Sequence, residues 1–98
     1  MKAIYKYPMP VQEKIEVELP VGAKIIRVSD IDGLFFLWAI VDTEIDEREI
    51  RYIEFYKTGQ PIDHPETLVY LGLCCIFIMQ ELGLYTFERI APIQPFTT

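Results

Sequence analysis

The sequence predicts a mainly β fold, six to seven short antiparallel strands forming a small sandwich or barrel. Three observations carry that expectation. Apolar residues alternate with polar ones over several stretches, as in Lys14 to Leu19, where Ile15, Val17 and Leu19 oppose Lys14, Glu16 and Glu18. Turn residues interrupt the chain every 8–15 residues or so. Asp32-Gly33 between two apolar runs is a strong hairpin signal, because Gly tolerates the positive φ of a primed two-residue turn.

The elements follow in order. Ala3 to Tyr7 is β-branched and aromatic and is closed by Pro8-Met9-Pro10, which suits an edge strand. Lys14 to Leu19 is a half-buried strand, and Pro20-Val21-Gly22 turns the chain into Lys24 to Ile31. Strict alternation there puts Lys24, Ile26 and Val28 on one face and Ile25 and Arg27 on the other. Leu34 to Val41 is apolar at all eight positions and is expected as a central strand covered on both faces, or as a short buried helix. Ile50 to Tyr56 alternates again, with Arg51, Ile53 and Phe55 opposite Ile50, Tyr52, Glu54 and Tyr56.

The Gly- and Pro-bearing stretch from Lys57 to Glu66 is a connection without a helix. Leu68 to Ile78 is expected as strand, with Met79 to Leu82 able to form one helical turn before Gly83. Leu84 to Ile90 then pairs back across a turn at Gln80 to Gly83. Residues 1–91 are expected to form one domain and residues 92–98 a C-terminal tail.

Composition narrows function. Ninety-eight residues bury only about 60–65% of the chain's surface, which leaves little room for a large catalytic cleft. Half of the residues are hydrophobic and thirteen are aromatic (six Tyr, six Phe, one Trp), so some apolar surface is expected in an interface, with a homodimer favoured. Fifteen acidic against nine basic residues give a formal charge of −6, and no basic stripe interrupts the linear sequence, which argues against nucleic acid as a partner. Asp42, Glu44, Asp46, Glu47 and Glu49 cluster within eight residues, with Arg48 the local counter-charge. The run either faces a basic groove on a partner or is a solvated loop. Tyr52 and Tyr56, sharing a face with Glu54, extend it as a partly exposed aromatic and acidic patch. Those eight residues form the candidate partner-binding set.

Catalytic and cofactor chemistry find no support. His64 is the single histidine, which leaves no Ser-His-Asp or multi-His zinc set, and Asp63, His64 and Glu66 around Pro65 read as a solvated turn. Adjacent Cys74 and Cys75 point to opposite faces of a strand, form no ordinary disulfide, and read as buried small hydrophobes in a reducing compartment. The five glycines are too dispersed for a phosphate-cradling loop. The opening residues carry no long apolar segment of the secretory type, and the apolar run from Leu68 to Met79 is too short for a membrane helix. The expectation is a cytoplasmic, non-enzymatic protein with no metal, cofactor or membrane partner. A rival expectation is a small-ligand binder with an apolar pocket lined by Phe35, Trp38 and Tyr residues.

Three motifs together resemble a family of short uncharacterised phage and prophage proteins: Met1-Lys2-x-Ile4-Tyr5-Lys6-Tyr7, the segment Gly33 through Leu37-Trp38-Ala39-Ile40-Val41-Asp42, and Tyr56-Lys57-Thr58-Gly59-Gln60-Pro61-Ile62. Tyr70-Leu71-Gly72 and Tyr85-x-Phe87-Glu88 are similar too, whereas Leu73 to Leu82 is longer and more apolar than the pattern and marks a protein-specific contact element. The resemblance implies a phage origin and an accessory role such as occupying a host protein, possessing no catalytic residues to carry over. A minor virion or assembly component is a further reading.

Overall fold

The computed structural model describes residues 1–90, so the expected tail at 92–98 lies outside the described residues. Seven antiparallel strands form two sheets: β1 (Lys2–Met9), β2 (Lys14–Pro20), β3 (Lys24–Ile31), β4 (Leu34–Asp42), β5 (Arg48–Tyr56), β6 (Leu68–Ile78) and β7 (Gln80–Arg89). One sheet has the order β1-β4-β3 and the other β2-β5-β7-β6. The arrangement is the open alternative to a closed barrel. A three-residue 3-10 helix, Pro65–Thr67, interrupts the connection in which the sequence predicts no helix.

The inner faces of the two sheets make the core. Ile15, Val17 and Leu19 of β2 meet Phe35, Leu37, Ala39 and Val41 of β4, with Ile53 and Phe55 of β5 and Cys74 of β6 filling the space between. The Phe35 and Phe55 rings lie 5.4 Å apart and tilted. Each fully buried large side chain contributes roughly 1.5–3 kcal/mol from burial. The β3–β4 hairpin turns at Asp32-Gly33, both at positive φ (51° and 80°), as the primed turn requires.

Two departures from simple alternation matter for function. First, β4 is central by hydrogen bonding but covered on one face only: Phe36, Trp38 and Ile40 are half-buried on the outside of the three-stranded sheet. A three-stranded sheet packed on one partner has no second layer, so an all-apolar strand need not be sandwiched. Second, a bulge between Ile25 and Arg27 absorbs Ile26. Lys24 pairs with Ile40 and Arg27 with Trp38, so both cations stand on the outer face, while Ile25 and Val28 turn inward opposite Ala39 and Leu37. The face assignment read from strict alternation is thereby corrected.

The last hairpin is also tighter than expected. Gln80 to Leu84 are already strand, paired with Ile78 back to Cys74, and the reversal falls on Met79 at φ 62° rather than on Gln80 to Gly83. β5 pairs with β7 only from Tyr85 to Glu88, so the β6–β7 ribbon projects beyond the sheet.

Candidate interaction surfaces

The acidic residues run from Asp42, the last residue of β4, through Glu44, Asp46 and Glu47 of the β4–β5 connection to Glu49 in β5, where the chain passes from one sheet to the other. They are not equivalent. The Asp42 carboxylate accepts the Glu44 backbone N–H at 3.1 Å and lies 3.5 Å from the N-terminal amine; the Glu44 hydrogen bond holds its pKa below the usual range. Glu44 contacts the same amine at 3.0 Å. Glu49 accepts from the Gly22 N–H at 2.9 Å and approaches Arg51 at 3.7 Å, so it fastens the β2–β3 turn. Asp46 and Glu47 stand exposed and without an ion pair among the described residues.

The expected patch of Tyr52, Glu54 and Tyr56 is corrected by the structure. All three share the outer face of the four-stranded sheet, but Glu54 is 7% and Tyr56 5% exposed, and only Tyr52 reaches solvent. Arg89 on β7 covers them. Its Nε and Nη2 donate to both Glu54 carboxylate oxygens at 2.9 and 2.6 Å, and the Tyr56 hydroxyl donates to the same carboxylate. Arg89 Nη1 also donates to the His64 carbonyl (2.6 Å) and Thr67 Oγ1 (2.7 Å), pinning the connection over the sheet. Burial alone would raise the Glu54 pKa, yet hydrogen bonds from Arg89 and Tyr56 and the Arg89 charge outweigh it and hold the carboxyl below its ordinary value. Burial, with the Glu54 hydrogen bond behind it, pushes Tyr56 up to about 12. This cluster is architectural, and its members are withdrawn from the contact set.

A second ion pair lies on the inner side, where Arg51 is bound by both oxygens of Glu88 and donates to the Ala23 carbonyl at 2.7 Å. Neither pair was legible from local sequence, because the partners stand 35 and 37 residues apart.

What remains exposed on the β2–β5 face is Glu16 opposite Tyr52 and Glu18 opposite Ile50. Glu47 adjoins them, its carbonyl accepting the Val21 N–H, and Lys14 and Arg48 stand at the two ends. The result is a small apolar centre with Glu16 and Glu18 along one side and Lys14 and Arg48 at the ends.

Phe35 and Trp38 do not line a common pocket: Phe35 is buried between the sheets and Trp38 stands on the opposite side of the same strand. Cys74 is buried, whereas Cys75 is only half-buried on the outer face, which corrects the reading of both as core residues; the two thiols are free. His64 contacts Glu66 at 3.2 Å on the exposed 3-10 turn, and no group of three or more metal-ligating side chains is gathered among the described residues. Among the described residues no helix is long and apolar enough to cross a membrane. At the ribbon tip Phe77, Ile78 and Met79 are exposed, Met79 almost fully at 97%.

No curated protein and no solved structure matches the chain significantly. A family model does match, over residues 1–96 and thus nearly the whole sequence, through the strands and both ion pairs just described. The chain therefore belongs to the DUF7352 family, a domain of unknown function.

Proposed function

We propose that this chain is a non-enzymatic accessory protein of phage or prophage origin, acting in the bacterial cytoplasm, that binds a host protein through the acidic side of its four-stranded sheet. The observation that carries the reading is the exposed pair Glu16 and Glu18 across from Tyr52 and Ile50, with exposed Asp46 and Glu47 in the connection that leads into β5. An apolar centre supplies contact area, and the acids beside it select a basic surface and speed encounter with it. Burial of Glu54 and Tyr56 moves the surface toward β2 and away from the end of β5.

The test is retention from bacterial lysate by the immobilised chain and by the quadruple charge reversal E16K/E18K/D46K/E47K. One discrete protein held by the first and lost by the second supports the reading. Nothing retained, or equal retention by both, refutes it.

The ribbon tip favours a second role for apolar surface, self-association. Phe77, Ile78 and Met79 project from a two-stranded ribbon with no layer above them, and a second copy of the chain would cover them symmetrically. Light scattering should give twice the chain mass, and F77S/M79S should give the chain mass.

A further inference from the structure

Four of the nine basic residues, Lys2, Lys6, Lys24 and Arg27, lie exposed on the outer face of the three-stranded sheet, although they are scattered over the first 27 positions of the chain. Two come from β1 by simple alternation and two from β3 by way of the bulge at Ile26. In a chain with fifteen acids, none of the four has a carboxylate within salt-bridge distance among the described residues, although Lys2 stands across from Asp42. Between the two cationic rows runs β4, presenting Phe36 and Trp38 outward. Lys6 Nζ sits 4.2 Å from the Phe36 ring centroid and 5.9 Å from that of Trp38, and the Arg27 guanidinium carbon sits 4.7 Å from Trp38 on the other side.

We propose that this face binds single-stranded nucleic acid, with bases stacking on Phe36 and Trp38 and phosphates taken by Lys2, Lys6, Lys24 and Arg27.

Three features select this occupant. Aromatic rings flanked by cations on an open sheet are the means by which single strands are held without base-specific readout, since every base has a π-face. The two ring centroids are 6.4 Å apart along one strand and tilted by 54°, so each ring offers its own platform to a separate unstacked base of an extended strand. An acidic peptide would have use for the cations but none for the paired rings, and a peptide adding a strand would dock on an edge rather than a face. The net charge of −6 is no barrier. It is a sum over the whole chain, whereas a phosphate at contact distance meets first the four cations of this face. Asp42, at the end of the face, is occupied by the N-terminal amine and the Glu44 N–H.

Trp38 is the only tryptophan, so its fluorescence reports the site directly. The experiment titrates the whole chain with an oligothymidylate of about twelve nucleotides, reading Trp38 quenching and the anisotropy of the labelled strand. Four phosphate contacts predict an affinity that falls about 50-fold between about 50 and 200 mM salt. K6A/R27A, which removes two exposed cations and whose folding is checked by circular dichroism, should reduce that fall to about 7-fold. Poly-L-glutamate and a blunt duplex of equal length should neither quench nor compete. Absence of quenching at the lower salt, an unchanged salt response in K6A/R27A, or equal competition by poly-L-glutamate or the duplex would each overturn the proposal.

Discussion

Arg89 holds both carboxylate oxygens of Glu54 in a bidentate pair at 2.9 and 2.6 Å, across 35 residues of chain and within a site where Arg89 itself is 3% exposed. A planar guanidinium matches a carboxylate in this geometry, and the remaining donors are spent on the His64 carbonyl, Thr67 and the Tyr56 hydroxyl. The pair thus joins β5, β7 and the connection that crosses them.

Removing one partner should cost far more than removing both. R89A leaves the Glu54 charge buried and unpaired and is expected to destabilise by about 3–5 kcal/mol, whereas R89M/E54L should lose much less. Urea unfolding of R89M, E54L and R89M/E54L measures the coupling.

Stability should fall toward both extremes of pH. Glu54 has a folded pKa below its unfolded value of 4.5, so its contribution is present above 4.5 and is lost as pH falls through the lower folded value. Tyr56 has a folded pKa raised from 10.0 to about 12, so its contribution is present below 10 and is lost as pH rises toward 12. Melting temperatures recorded from pH 3 to 12 should show both limbs, and Y56F should reduce the alkaline one.

The two sheets approach most closely where β3 meets β6, and Gly72 makes that possible. It adopts φ 151°, and a Cβ there would stand 2.9 Å from Val28 Cγ2. G72A should destabilise by about 1–3 kcal/mol through strain and overpacking. V28A in the same chain should recover the steric part, and a thermal melt of the double variant separates it from the backbone part.

The two thiols should differ in access. Cys74 is buried and Cys75 half-buried, and burial pushes both pKa values up. A thiol reagent at neutral pH should modify one equivalent slowly in the folded protein, absent in C75S, and two after denaturation.

Much of the fold was legible because strand patterns are local. Ile15, Val17 and Leu19 alternate with charges, Asp32-Gly33 can take the positive φ of its turn, and Arg51, Ile53 and Phe55 share a face as their spacing requires. The contact surface was legible only in part. Asp46 and Glu47 are exposed as expected, but Glu54 and Tyr56 have the same alternation as Tyr52 and are buried, since Arg89 arrives from a distant strand to cover them.

The sequence by itself determined the strands, their main turn and the acidic excess, because backbone propensity, side-chain alternation and net charge are properties of neighbouring residues or of simple sums. Tertiary structure alone decided which charges meet and which stand apart. Glu54 found Arg89, and Lys2 and Lys6 came to lie across Trp38 from Lys24 and Arg27. The last of these depends on one inserted residue at Ile26, whose extra step reverses the face of everything before it relative to Arg27. Hydrophobic burial of Ile25 and Val28 against β4 sets that step, and no periodicity within the strand reveals it.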